Sequence, residues 1–255
     1  MPKRLLIKTI TEFRRHYRSL SPGDAVLGLL PIRDGEEVKL LDLQDRGVAF
    51  FPPALAQMLV RSKVAQAEVL GEFMVPGTFV AYSLPDVARQ LGQSQALKDG
   101  RVITKRDQAH LGLGVSLWPS LEVLYSLGGL QGLPYPLVVQ PFLPEARDLR
   151  LVVLGDYTEA YERLNPHSFR KNLFQGGSSR PVPLTPELLT FCRQVMGRGK
   201  FPYAILDILA AASGELYLSE ISMKGGLTGA RLSQAEFRER VQHLEEDFRR
   251  QWERS

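Results

Sequence analysis

The chain has a single cysteine in 255 residues, Cys192, which excludes an intramolecular disulfide and fits a reducing compartment. Its four histidines, His16, His110, His167 and His243, are scattered, so no zinc-ligand pattern is present. No apolar run reaches the roughly 18 residues of a membrane span, and the N-terminus lacks a signal-peptide core. A cytoplasmic protein that does not engage the membrane is therefore expected. There are no internal repeats or low-complexity tracts. Basic stretches interleaved with aromatics are also missing, so nucleic-acid binding is not expected.

What is present is an ordinary globular composition, 44% hydrophobic and 24% charged. At this length the chain can bury a substantial core, as one large domain or two small packed ones. The net charge of +4 is uneven. Lys3, Arg4, Lys8, Arg14, Arg15 and Arg18 stand against Glu12 alone in the first 20 residues, leaving the remainder near −1. That segment reads either as a solvated basic helix or arm, or as a docking surface for an acidic partner.

Along the chain, Ala25 to Pro31 and Val38 to Leu43 read as strands around an Arg33-Asp34-Gly35-Glu36 turn, with Gly47 to Phe51 a third. Ala54 to Phe73 has helical spacing, as one helix or two, and Lys63 at the junction reads as a surface lysine. Thr78 to Tyr82 is strand-like, and a helix opens at Ser83 and runs to about Leu97. Arg101 to Lys105 is a β-rich run ending on lysine, followed by a loop to Val115 in which Gly112 and Gly114 permit close backbone approach to an anion. A helix follows from Ser120 to about Leu127, then a strand over residues 136–143. Residues 175–180 read as a basic, glycine-rich loop, Thr185 caps a helix that buries Cys192, and Ala235 to Trp252 forms a terminal amphipathic helix.

Two hairpins concentrate the polar residues. With Gly155-Asp156 as turn, Asp148 faces Arg163 and Arg150 faces Tyr161. This is either a cross-strand ion pair or the lining of a cleft. With Ser213-Gly214 as turn, Asp207 faces Glu220, and Asp207, Leu209, Leu216, Leu218, Glu220 and Ser222 share a face. Facing like charges repel. The pair is either a solvated decoration or the seat of a cation.

In order and spacing, these pieces resemble the ATP-grasp superfamily, and within it the RimK-type and glutathione-synthetase-like carboxylate–amine ligases, over about residues 47 to 230. Met74 to Val80 looks like the entry to the nucleotide region, and Val102 to Lys105 with Gly112 and Gly114 like the phosphate-binding lysine and mobile loop. Gln140, Phe142 and Leu143 lie in a segment similar to the strand that receives adenine. Asp148, Arg150, Glu162, Arg163, Arg170, Asn172 and Gly176-Gly177 follow the RimK-type order, and Asp207 and Glu220 match metal-holding positions. Two departures stand out. Ser222 occupies the place of the usual Asn, leaving a second metal held through water or lost, and Met223-Lys224-Gly225-Gly226 replaces a small-Pro-Gly motif.

The resemblance implies an α+β (mixed α/β) ATP-grasp fold: a short N-terminal unit over residues 1–75, then an ATP-grasp domain over 76–255, divided at 140/141. It implies ATP and Mg²⁺, with Mn²⁺ as an alternative, held by Asp207, Glu220 and Ser222. Lys105, Lys63, Gly112 and Gly114 would hold phosphates. Gln140, Phe142 and Leu143 would receive the base, and Asp148 or Glu145 the ribose. Arg163, Arg170, Asn172 and Arg150 would serve the acyl-phosphate site. The implied activity joins a carboxylate to an amine, neither identified, with a peptide or protein terminus among the candidates; an oligomer is compatible. The rival readings are an ATP-binding scaffold or regulator that does not ligate, and a phosphotransferase.

Overall fold

A computed structural model of the chain describes residues 4–93, 97, 100–109, 114–166, 168–169 and 177–254. Helices and sheets are mixed, and three sheets each have their own core. The first is parallel, in the order β1 (Leu6–Ile7), β2 (Ala25–Leu27), β3 (Ala49–Phe51). Parallel neighbours need crossovers, supplied by α1 (Ile10–His16) and α2 (Glu37–Asp45). A capping box fixes the start of α1, with the Thr9 side chain on the Glu12 N–H and the Glu12 carboxylate on the Thr9 N–H. Phe13, Leu20, Leu40 and Leu43 fill this core.

The second sheet is antiparallel, ordered β4 (Phe79–Ala81), β7 (Leu137–Pro141), β5 (Val102–Arg106), β6 (Val115–Trp118), and is backed by α5 (Leu84–Gln93) and α6 (Leu121–Gln131). The third and largest is ordered β10 (Ser178–Pro181), β9 (Tyr157–Leu164), β8 (Arg147–Leu154), β11 (Tyr203–Ala210), β12 (Leu216–Ser222). Its core takes Leu188, Cys192 and Val195 of α7 (Pro186–Gly199), and Ala56 and Leu59 of α3 (Ala54–Leu59). Leu70 of α4 (Lys63–Leu70) joins them. Burial of each such leucine or valine contributes about 1.5–3 kcal/mol. Phe237 anchors α8 (Gln234–Arg254) to the same core. At the far end of α8, Trp252 donates its indole N–H to the Gly23 carbonyl at 2.8 Å, and the Arg4 guanidinium lies 4.7 Å from the Trp252 ring. Part of the basic N-terminal segment is thus used internally: Arg4 on α8, and Arg14 on Glu36 at 2.7 Å.

The structure departs from the sequence reading in five places. Val38 to Leu43 lies in α2, not a strand: Leu40 and Leu43, one helical turn apart, are fully buried, while Val38 and Leu41 point outward. Val115–Trp118 and Ser178–Pro181 are strands where loop or helix start was expected, and the helix after Ser120 continues through Gly128 and Gly129 to Gln131.

The fifth concerns the last hairpin. Its turn is wider than two residues, with Ala211 N–H on the Glu215 carbonyl and Gly214, at φ +100°, bonded back to Ala211. Ile208 therefore faces Leu218 and Leu209 faces Tyr217, and a bulge at Ser219 then restores the pairing of Asp207 with Glu220. In consequence Leu218 and Leu216 do not share the face of the acids. Leu218 is fully buried in the core, and Leu216 packs against it.

Candidate active site

A cleft of about 1030 Å³ lies between the second and third sheets, closed on one side by Leu29, Leu30 and Pro31. Lys63, Lys105, Gln140, Phe142, Leu143, Asp148, Arg150, Arg163, Asp207, Glu220 and Ser222 all line it. Gly114 does not. It shapes the loop instead: its carbonyl accepts from the Arg106 N–H at 2.8 Å, and any Cβ there would collide with the Ala109 side chain. Gly112, Arg170 and Asn172, with Gly176 beside them, lie outside the described residues.

The floor is an ionic network that joins two hairpins. Arg150 holds Asp207 through Nε to Oδ1 at 2.7 Å and Nη2 to Oδ2 at 2.9 Å, a bidentate arrangement, and its Nη1 bonds the Gly226 carbonyl at 3.0 Å. Arg163 reaches both Asp148, at 2.6 Å, and Asp207, at 3.0 Å. Register explains the meeting. Asp148 faces Arg163 across β8 and β9, as the sequence implies, while Arg150 faces Asp207 across β8 and β11. Burial works against a charge on Asp207, but Arg150 and then Arg163 outweigh it and hold the carboxyl far below its usual range. The Asp148 carboxyl moves the other way: burial and the Asp207 charge raise it against the pull of Arg163. The cation between the facing acids is thus supplied, for Asp207, by the protein itself.

Glu220 is held separately. The Lys63 ammonium lies 3.0 Å from Glu220 Oε1 and donates to the Ala109 carbonyl at 2.8 Å. Lys63 is therefore not a surface lysine: as the first residue of α4 it is aimed across the cleft. Two residues unsuspected in the sequence place it. Asp107 accepts from the Val64 N–H and the Ser62 hydroxyl at the start of α4. Gln66 bonds both the N–H and the carbonyl of Ile221, fixing α4 to β12. A glutamine on a helical stripe that is otherwise buried was the available signal for the latter.

Lys105 is buried, and its ammonium donates to the carbonyl and hydroxyl of Ser219 at 2.9 and 3.2 Å. Burial lowers its pKa to about 8, against the upward pull of Glu220. The bulge at Ser219 turns this carbonyl toward the lysine, another partner that alternation alone does not reveal. At the other end of the cleft, Gln140 is fully buried, and neither of its amide atoms has a hydrogen-bond partner among the described residues. Phe142 lies against Phe169 edge to face at 6.2 Å, with the Arg101 guanidinium 4.8 Å from its ring.

The donor set suits magnesium in kind. Asp207 and Glu220 face one another on paired strands, with Ser222 on the same cleft, and all offer hard oxygens. No group of three or more His, Cys, Asp or Glu is gathered among the described residues. Phosphate and water oxygens would have to complete the shell, as is usual for this ion.

Comparison with known proteins decides the family. The sequence model of the RimK-like ATP-grasp domain matches residues 57–240, more than two-thirds of the chain. The chain belongs to this family. Among relatives, a probable alpha-L-glutamate ligase of Pseudomonas paraeruginosa is 31% identical over 166 residues, covering 61% of this chain and 52% of the relative. A probable alpha-L-glutamate ligase 2 of Shewanella frigidimarina is 29% identical over 151 residues, covering 57% and 48%. The chain spans about half the length of these curated relatives. Among solved structures, the ADP complex of N5-carboxyaminoimidazole ribonucleotide synthetase superposes with a TM-score of 0.59 at 13% identity, covering 84% of this chain and 58% of that one. The macrocyclase MdnC bound with precursor peptide MdnA from Microcystis aeruginosa gives 0.52 at 17% identity, covering 88% and 77%. These likenesses establish the ATP-grasp fold, and the three sheets are its expression here. No helix among the described residues is long and apolar enough to cross a membrane.

Proposed function

We propose that this chain is an ATP- and magnesium-dependent ligase that joins a carboxylate to an amine through an acyl phosphate. The observation that carries the reading is the convergence, in one cleft, of two anchored lysines, two facing carboxylates and two arginines, one buried and one largely so. The base of ATP would lie against Gln140, Phe142 and Leu143, with Asp148 near the ribose and the phosphates toward Lys63 and Lys105. A substrate carboxylate oxygen then attacks the γ-phosphorus; a carboxyl O–P bond forms, the bridging P–O bond breaks, and ADP leaves. An amine attacks the acyl carbon next, forming C–N as the bond to the phosphate oxygen breaks and inorganic phosphate leaves. Arg150 and Arg163 each keep N–H groups beyond those spent on Asp148 and Asp207, and with Arg170 and Asn172 they would stabilise the oxyanion. Magnesium, when bound, supplies charge neutralisation at the phosphates, and Asp207, Glu220 and Ser222 are the residues that would hold it. The peptide-bound MdnC structure supports a peptide among the candidate substrates.

One observation favours a second reading. Both oxygens of Asp207 are engaged by guanidinium groups and Ser222 replaces the family's Asn, which suits a nucleotide-binding protein that does not ligate. A single series separates the two. Thermal shift with a non-hydrolysable ATP analogue and Mg²⁺ is followed by ADP release across carboxylate and amine panels. ADP formation stimulated by a substrate pair supports the ligase. Binding without turnover supports the second reading, and absence of nucleotide binding overturns both.

A further inference from the structure

β12 lies at the edge of the third sheet, with β11 as its one ladder neighbour among the described residues. Polar backbone groups on its outer side have no strand to bond, and such groups are costly when buried without partners. Three successive residues of this edge are each held from outside the sheet. The Lys105 ammonium, from β5, takes the Ser219 carbonyl and hydroxyl at 2.9 and 3.2 Å. The Lys63 ammonium, at the start of α4, takes the Glu220 carboxylate at 3.0 Å. Gln66, three residues on along α4, takes Ile221: its Nε2 donates to the Ile221 carbonyl at 2.9 Å, and its Oε1 accepts from the Ile221 N–H at 3.0 Å. Nε2 also donates to the Leu59 carbonyl at 2.9 Å, at the end of α3.

The three grips differ in kind. Those of Lys63 and Lys105 are made by charged groups, and on the ligase reading both ammonium groups turn to the phosphates of ATP. Glu220 and Ser219 are then released. Gln66 carries no charge for a phosphate to draw away, and both of its N–H groups and its oxygen are engaged. It is 2% exposed and Ile221 is fully buried, so water does not take the place of the amide.

We propose that Gln66 is a positioning residue for the metal-holding edge of the cleft: it fixes the backbone between Glu220 and Ser222 while the neighbouring lysine grips are exchanged for phosphate. This rests on the nucleotide- and metal-binding part of the ligase reading, and adds to it the residue that keeps the two oxygen donors in register. A small ion that demands near-octahedral geometry is served only by donors whose supporting backbone is locked. Glu220 needs such support, because its side chain is 38% exposed and the bulge at Ser219 interrupts the ladder beside it. Through Leu59 the same amide closes the corner between α3 and α4. One side chain thus sets both the start of α4, where Lys63 stands, and the strand edge that Lys63 faces.

Gln66→Met keeps the length of the side chain and removes all three hydrogen bonds. Its control is Gln57→Met: Gln57 is equally buried, but bonds the Pro52 carbonyl and the Leu30 N–H, away from β12. Both variants are expected to lose stability. Gln66→Met alone should raise the Mg²⁺ midpoint for binding of a non-hydrolysable ATP analogue, by about tenfold, as when a residue that orients a metal ligand is lost. It should also alter the electron paramagnetic resonance line shape of Mn²⁺ bound with the analogue, and leave analogue affinity in EDTA unchanged. Hydrogen exchange in the unsubstituted chain tests the same point without a variant: the Ile221 amide should be protected in the free chain and stay protected with Mg²⁺ and the analogue bound. An unshifted Mg²⁺ midpoint in Gln66→Met, an equal rise in Gln57→Met, an equal loss of metal-free binding, or an Ile221 amide that loses protection on binding would overturn the positioning role and leave the ligase reading intact. A parent chain that binds no analogue overturns that reading, and the role with it.

Discussion

Arg150 and Asp207 meet through two parallel hydrogen bonds of 2.7 and 2.9 Å, and Arg163 approaches the same carboxylate at 3.0 Å. All three side chains are largely buried, with 18%, 15% and 9% of their surfaces exposed. Such a cluster is poorly screened, so its members depend on each other's charge. It also sets the state of the candidate metal face: Asp207 enters any ligand complex already neutralised by two arginines, whereas Glu220 is paired with Lys63.

Arg150→Met should therefore be costly. It leaves Asp207 buried with Arg163 alone, and loss of one partner from a buried pair costs about 3 kcal/mol, read as a lower urea midpoint. The acid limb follows from the same pair. The Asp207 carboxyl is depressed in the folded chain, so its contribution is complete above its unfolded value of about 3.9 and is lost as pH falls below that. Asp207→Asn should be less stable at pH 7 yet lose less stability between pH 5 and pH 2.5.

Lys105 separates stability from binding. Its ammonium is buried with a pKa of about 8, below the unfolded value of about 10.4, so the unfolded chain binds more protons between those limits and stability rises with pH there. Nucleotide binding should run the other way, falling as pH rises through 8 and the ammonium is lost. Lys105→Met is expected to bind an ATP analogue at least tenfold more weakly and without that pH dependence, at no loss of thermal stability at pH 7. Fluorescence titration between pH 6.5 and 9.5 measures both.

Gln140 tells the same story with a neutral group. A buried amide without partners costs about 1–3 kcal/mol, and both of its polar atoms are in that state among the described residues. Gln140→Met should raise the melting temperature of the free chain while lessening the shift produced by ADP. A stabilised variant with an undiminished ADP shift would show that the amide does not read the base.

How far the sequence speaks depends on how local each arrangement is. The two-residue turn at Gly155-Asp156 fixes its own register, so the facing of Asp148 and Arg163 is legible directly. The facing of Asp207 and Glu220 is reached only because two offsets cancel, the wider turn and the bulge at Ser219. The same bulge hides the reversal of Leu216 and Leu218 and the carbonyl that holds Lys105. β10 reads as loop because Ser178-Ser179-Arg180-Pro181 has no apolar alternation; as an exposed edge strand it needs none. The partnership of Arg150 with Asp207 spans 57 residues, and no local pattern announces it.

The last expectation concerns Lys63, which competes with any cation for Glu220. Its ammonium lies 3.0 Å from Oε1 of a carboxylate that is 38% exposed, and the same ammonium ties Ala109 to the start of α4. In a partly exposed setting such a pair contributes at most about 1 kcal/mol, so Lys63→Met should fold normally, with a melting temperature near that of the parent. Removing the positive charge makes the potential at Glu220 more negative, so the Mg²⁺ concentration that half-saturates the nucleotide response should fall several-fold. The phosphates lose a cation at the same time, and analogue affinity at saturating Mg²⁺ should drop about tenfold. Mg²⁺ titrations of analogue binding separate the two effects. If the Mg²⁺ midpoint rises or stays fixed in Lys63→Met, Glu220 is not where the metal is held.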